Sequence, residues 1–274
     1  MKKFTIICFF LSLEVVVIFG KETLCSSNKI CECSQTKHRK VVNCRRVDNM
    51  KDIQDFFSKN LNFTRVSILN IKKCKTTSLP DWVFWNTTIR KIRFECPFHE
   101  MKNDALSPIK ALKHLDLFKT KFLKIPIAIS KLTNLKYLRI TNSKLTRIDT
   151  ELQNMTGLLE LKMSFNPIYE VLREAFTGLS NLRMIDLSEN KLIFLHQGTF
   201  DLCQNLTKIF LQKNSMNSVD GLFNISNLEC KMRFDVASNP ILLTVRIRNP
   251  RSSYEEVDRA VPLNVEHSKD TLWG

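Results

Sequence analysis

Glycine is scarce in this chain, six residues in 274, and no cluster of them can form the loop that cradles phosphate in nucleotide-binding folds. Neither G-x-S-x-G nor H-E-x-x-H occurs, so the signatures of serine hydrolases and zinc proteases are missing. The five histidines, His38, His99, His114, His196 and His267, are scattered. Cys96-x-x-His99 sets a thiol near a base, but beside a strand end half of a disulfide or a buried thiol is the simpler reading. No catalytic, cofactor-binding or metal-binding residue is assigned, and the chain reads as non-enzymatic. Acidic side chains are also in short supply: 27 Asp and Glu face 42 Lys and Arg, a net charge of +15. After the apolar run at residues 4–19 no second run of membrane-spanning length follows, so a membrane-anchored receptor would need a longer chain than this one.

What the chain has in abundance is a periodic apolar block on the pattern LxxLxLxx(N/C)xL, recurring about every 23 or 24 residues. The register runs Val66-Leu69-Ile71-Cys74, Ile89-Ile92-Phe94, Leu112-Leu115-Leu117-Thr120, Leu135-Leu138-Ile140-Ser143 and Leu158-Leu161-Met163-Asn166. It continues through Leu182-Ile185-Leu187-Asn190 and Leu206-Ile209-Leu211-Asn214 to an irregular Phe234-Val236-Asn239. Each unit is a short strand plus a return path that cannot bury its apolar face until neighbours stack on it. Positions one, four and six point into the stack, and the residues between them point outward. Asn or Cys at position nine can tie neighbouring backbones together; Thr120 and Ser143 do so less well, and Pro97 cannot donate. The pattern resembles that of leucine-rich repeat proteins. It predicts an α/β solenoid, a horseshoe of about eight repeats with a parallel concave β-sheet and convex segments of short helical turns or extended runs.

The repeats are of two kinds. Leu79-Pro80 and Leu123-x-x-Pro126-x-x-Ile129 are similar to a shorter repeat with proline after the strand; residues 168–182, with Glu174-Ala175-Phe176-x-Gly178-Leu179, are similar to the longer repeat of secreted and receptor ectodomains.

Both ends add information. Lys2 and Lys3 before the apolar run, and Gly20 after it, read as a secretory signal over residues 1–20. An uncleaved anchor competes, with Glu14 and bulky Ile18 against cleavage, but a 16-residue run is short against the roughly 20 that a spanning helix needs. Residues 21–64 form a cysteine-rich N-terminal cap, 65–245 the repeats and 246–274 a non-repeat tail. Three readings of that tail stand open: a disordered end, an unusual cap or the remnant of a longer product.

Cys25, Cys31, Cys33 and Cys44 form C-x5-C-x-C-x10-C immediately before the first repeat. Spacing alone allows three connectivities, and a zinc site with His38 is the rival reading. The motif resembles the N-terminal cap of extracellular leucine-rich repeat proteins, and that resemblance implies pairs Cys25–Cys33 and Cys31–Cys44. A cap is needed because the first repeat would otherwise expose its apolar end and an open strand edge. The family often closes its far end with a cysteine-bearing cap, and here no cysteine follows Cys230. Cys74 with Cys96, and Cys203 with Cys230, lie in adjacent repeats and are candidates for pairing, against the alternative of buried thiols. Five Asn-x-Ser/Thr sequons, at Asn62, Asn86, Asn154, Asn205 and Asn224, precede repeat openings, so sugars there would leave the strand face open. Asn205, next to core Leu206, is the least suited.

The outward strand positions carry the functional reading. Arg90, Lys91, Arg93, Lys113, His114, Lys136, Tyr137, Arg139 and Lys162 are candidate ligand-binding residues of a cationic concave face, with Lys119 beside them and Glu95, Asp116 and Glu160 opposed. Phe210 is a candidate aromatic contact farther along, flanked by Asp186 and Asp235. A merely soluble basic face is the alternative. The chain resembles the extracellular leucine-rich repeat superfamily, which includes Slit-type proteins, small leucine-rich proteoglycans and Toll-like ectodomains. That resemblance implies a secreted recognition or adhesion protein whose partner is an extracellular protein or anionic glycan. The alternatives are the ectodomain of a Toll-like receptor and a matrix protein holding glycosaminoglycan. Nucleic acid is disfavoured for an exported chain without an aromatic stacking motif, and the oligomeric state is left unassigned.

Overall fold

The computed structural model describes residues 27–37, 39–59, 65–85, 87–218, 233–240, 242–246 and 258–262. The chain opens with an antiparallel pair, β1 (Cys31–Gln35) and β2 (Lys40–Arg45). Cys31 and Cys44 face each other in that register and are joined by a disulfide, both fully buried; a zinc site built on them is thereby excluded. Cys33 is also disulfide-bonded, and Cys25 and His38 lie outside the described residues. Helix α1 (Met50–Lys59) follows, with Met50, Ile53, Phe56 and Phe57 repeating at helical spacing on its buried face. Asn49 starts the helix, its Oδ1 accepting the Lys51 N–H at 2.9 Å.

Strand β2 also pairs in parallel with β3 (Arg65–Lys72), Val42 beside Leu69 and Cys44 beside Ile71. The cap therefore hands its register directly to the first repeat. Then come β4 (Ser78–Leu79), β5 (Thr88–Glu95), β6 (Glu100–Met101), β7 (His114–Phe118), the single turn α2 (Ile127–Ser130), β8 (Tyr137–Thr141) and β9 (Arg147–Ile148). After these lie β10 (Glu160–Lys162), β11 (Glu170–Val171), β12 (Met184–Asp186), β13 (Lys208–Phe210) and β14 (Arg233–Asp235). One ten-stranded sheet runs β1-β2-β3-β5-β7-β8-β10-β12-β13-β14, parallel from β2 onward. It is the solenoid expected from the apolar blocks. Leu69, Ile92, Leu115, Leu138, Leu161, Ile185 and Ile209 align in one fully buried row.

On the opposite side helix is confined, among the described residues, to α1 and the four-residue α2. A repeat of about 23 residues leaves too short a return path for a stable helix of several turns. The short pairs β4–β6 and β9–β11 take that place. After β14, β15 (Leu242–Arg246) pairs antiparallel with β16 (Asp258–Pro262).

Where the chain leaves each concave strand it turns sharply. Position eight adopts positive φ in Arg46, Lys73, Lys119, Asn142, Phe165, Glu189, Lys213 and Ser238, a conformation costing roughly 1–2 kcal/mol for a residue with a Cβ. Backbone bonds to the next repeat offset that cost: Lys119 N–H donates to Thr141 at 3.3 Å and Glu189 to Gln212 at 3.0 Å. The second repeat departs from this, because Cys96 precedes Pro97, whose ring pushes the preceding residue toward extended backbone. Cys96 turns inward and is joined by a disulfide to Cys74.

Position nine completes the turn. Buried Asn190 Nδ2 donates to the Met163, Leu187 and Ser188 carbonyls, and its Oδ1 accepts the Ile168 N–H at 3.2 Å. Asn214 and Asn239 each donate to two carbonyls, one in their own repeat and one in the repeat before, and accept one backbone N–H. Asn166 makes the three donor bonds, but its buried Oδ1 has no partner; it stands where the ladder changes from hydroxyls to amides. In the hydroxyl part Thr120 Oγ1 donates to Ser143 Oγ at 2.8 Å. Cys203 is a free, buried thiol, its Sγ 3.6 Å from the Phe176 carbonyl oxygen and its pKa pushed up by burial to about 12. The disulfide considered for it is therefore not made: it fills a core position, and Cys230 lies outside the described residues.

Two stability predictions follow from these contacts. Asn190→Ala removes four hydrogen bonds and leaves the buried Ile168 N–H without its side-chain acceptor, while the Met163, Leu187 and Ser188 carbonyls keep bonds from Asn166, Asn214 and Phe165. It is expected to cost about 3 kcal/mol, and Asn166→Ala, which removes three bonds and an unpartnered Oδ1, is expected to cost less, at roughly 1–3 kcal/mol per orphaned group. Urea unfolding of both variants checks the order; equal losses would contradict the ladder as described. Gly178→Ala drives a Cβ to 1.5 Å from the Gln153 carbonyl oxygen, so the two return paths must separate. A loss near the upper end of the roughly 1–3 kcal/mol typical of overpacking is expected in the same measurement.

Candidate functional site

Because the strands are in register, side chains one repeat apart stand roughly 4.8 Å from each other along the ladder. Position two runs Arg90, Lys113, Lys136, Leu159, Arg183 and Thr207, each N–H after the first donating to the previous member's carbonyl at 2.9 Å. Position three runs Ile68, Lys91, His114, Tyr137, Glu160, Met184 and Lys208. Position five runs Asn70, Arg93, Asp116, Arg139, Lys162, Asp186, Phe210 and Asp235. The nine candidate residues from Arg90 to Lys162 thus share one face over four adjacent repeats. Phe210 is half-buried at the far end, between the two aspartates.

The charges on this face are not equally available. Lys91 Nζ lies 3.0 Å from Asp116 Oδ2, and the Asp116 side chain is largely buried. Arg139 reaches Glu160 at 3.9 Å, and Lys119 reaches Glu95 at 3.6 Å. Arg90, Arg93, Lys136 and Lys162 form no ion pair among the described residues, and Lys113 Nζ donates only to the Asn134 carbonyl at 3.2 Å. The position-two column is therefore the cationic core of the face, and Arg183 extends it. Arg183 is not among the residues expected from the sequence, although the repeat period aligns it with Lys136, two strands away beyond Leu159.

His114 and Tyr137 stack face to face, ring centroids 4.2 Å apart and planes 4° from parallel. The stack forms a half-buried aromatic pair at the centre of the cationic columns. Burial holds the His114 pKa below its ordinary value of 6.5; Lys91, Arg90 and Arg139 push the same way and Asp116 opposes them.

Two sequons fall among the described residues. Asn154 is exposed on the path leading into β10. Asn205 is exposed as well, but its Nδ2 donates to the Ser180 carbonyl at 2.8 Å, the nitrogen that a sugar would need. Asn62, Asn86 and Asn224 lie outside the described residues. No group of three or more metal-ligating side chains and no helix long and apolar enough to cross a membrane occurs among the described residues.

Two family models match the chain, a BspA type leucine rich repeat region over residues 36–154 and a leucine rich repeat over residues 167–216. No curated protein matches it in sequence. Among solved structures, TLR13 in its complex with ssRNA13 is 23% identical at a TM-score of 0.66, the match covering 74% of this chain and 29% of that one. Toll of Drosophila, solved with Spatzle, gives 19%, 0.56, 73% and 32% for the same quantities. Human 5T4, the trophoblast glycoprotein, gives 18%, 0.61, 80% and 83%. The chain thus spans about a third of the two Toll-type chains, and at these identities the likeness is one of fold. Repeat models covering more than half of the chain, on a parallel-stranded solenoid closed by a disulfide-bonded end, show that it belongs to the leucine-rich repeat superfamily of binding and receptor scaffolds.

Proposed function

We propose that the chain is a secreted, non-enzymatic recognition protein that binds an acidic glycan on its concave face. The observation carrying this reading is the column Arg90, Lys113 and Lys136, three cations on hydrogen-bonded neighbouring backbones at the strand entrances, without a carboxylate partner among the described residues. Two like charges about 5 Å apart repel by about 0.8 kcal/mol even at the dielectric of water. A linear polyanion lying across the strands relieves that repulsion at several repeats together. The polar edges of the His114–Tyr137 stack offer hydrogen bonds to sugar hydroxyls, and a rigid sheet loses little entropy on binding. Disulfides and the apolar N-terminal run support export. An acidic protein surface is the runner-up. TLR13 was solved with single-stranded RNA and Toll with Spatzle, so RNA belongs in the test as a competing polyanion.

Heparin affinity measured against salt separates free from paired cations. Lys113→Ala and Lys136→Ala are each expected to weaken retention several-fold and to flatten the salt dependence by about one ion each. The double variant Lys91→Ala with Asp116→Ala, which removes a matched pair and leaves the net charge unchanged, is expected to change it little. Equal effects of the three, or tighter binding of single-stranded RNA than of heparin, would overturn the reading.

The lowered His114 pKa fixes a pH dependence. Protonation adds positive charge to the face, so polyanion binding strengthens only as pH falls below 6.5, and His114→Ala abolishes that gain. The folded state holds this proton less readily than the unfolded chain, so the residue's contribution to stability declines as pH falls from the unfolded toward the folded pKa. A proton NMR titration checks it: a His114 midpoint at or above 6.5 would contradict the geometry.

A further inference from the structure

A gap opens in the rim at the second repeat. In the first and third repeats positions eight to ten are Lys73-Cys74-Lys75 and Lys119-Thr120-Lys121, with exposed lysines on both sides of the turn. In the second repeat the same positions are Cys96-Pro97-Phe98. Pro97 denies Cys96 the left-handed turn, the disulfide to Cys74 holds Cys96 inward, and Phe98 is fully buried. No long side chain fills the rim there. What remains is a recess of about 390 Å³ lined by Lys73, Lys119, Lys121, Lys144, Asn142 and Glu95 around a floor of Cys96, Pro97 and Thr120.

The recess is strongly cationic: four lysines face the single carboxylate of Glu95, which Lys119 already engages at 3.6 Å. Lys73, Lys121 and Lys144 are exposed and form no ion pair among the described residues. By contrast Lys75, at the same edge one repeat earlier, is matched by Asp48 at 3.2 Å, and Lys213 pairs with Glu189. Several lysines lining one recess suit a compact oxyanion that they can share, a sulfate ester better than a bulky charged group. The recess lies at the exits of β3, β5, β7 and β8, at one end of the cationic columns. We infer that it is a distinct anion subsite, seating one sulfate group of the acidic glycan proposed for the concave face. This inference rests on that reading for its ligand class but uses different residues.

Lysine acetylation footprinting by mass spectrometry on the full chain tests both surfaces separately. The probe is N-acetylglucosamine 6-sulfate, too small to span from the recess to the position-two column. At saturation it is expected to slow acetylation of Lys73, Lys121 and Lys144 about threefold or more while leaving Lys113 and Lys136 unchanged, as for a ligand occupying one site. The unsulfated sugar protects none of them, and Lys121→Glu abolishes protection of Lys144. Protection spread equally over all five lysines, protection by the unsulfated sugar, or protection of Lys144 that survives Lys121→Glu would each overturn the subsite. Tighter protection by inorganic phosphate than by the sulfated sugar would overturn the choice of sulfate. Long heparin that protects the recess but not Lys113 and Lys136 would instead overturn the concave-face reading.

Discussion

The stack depends on satisfying the backbone where each concave strand ends. Eight side-chain-bearing residues, from Arg46 to Ser238, sit at positive φ there, and a turn of that kind buries carbonyls that water cannot reach. Unpaired, each would cost roughly 1–3 kcal/mol, comparable with the burial of a leucine at about 2 kcal/mol. The apolar rows supply the driving force for stacking, but the amides of Asn190, Asn214 and Asn239 determine that neighbours stack in one register, since each binds carbonyls from two successive repeats. That register aligns the outward residues into columns. In the repeats that carry the cationic face the same tie is made by the Thr120–Ser143 hydroxyl pair and by Asn166.

Much of this was legible in the sequence, because an apolar period near 23 residues specifies both which side chains enter the core and which align between repeats. Leu69 through Ile209 fall in the row that the period assigns. The Cys31–Cys44 pair is the one implied by resemblance to extracellular caps. Legibility ended where two residues distant in sequence compete for one partner. Lys91 and Arg93 are equivalent on a charge map, yet only Lys91 leans onto Asp116 of the next strand. Cys203 shows another limit: position in the repeat suggested a disulfide, whereas the side chain packs beneath the Phe176 carbonyl as a free thiol. The recess was not legible at all, since it arises from side chains that turn away, through the backbone restriction of Pro97.

The arrangement divides labour along the strands. Asn154 lies on the path entering the sheet and the lysine recess on the path leaving it, so a glycan at Asn154 would not cover the recess. Between them the face grades from cationic at β5 to β8 to mixed charge at β12 to β14, where Asp186 and Asp235 stand in the central column beside Arg183 and Lys208. Such a gradient orients a charged partner during encounter and affects association rate more than dissociation.

Hydrogen–deuterium exchange of the full chain with and without a heparin oligosaccharide tests the central claim most directly, because it reports on every strand together. The account predicts added protection confined to segments 88–95, 112–121 and 135–144, with the convex segments 98–109 and 172–181 unchanged. Protection on the convex segments, or at β12 to β14 alone, would contradict it.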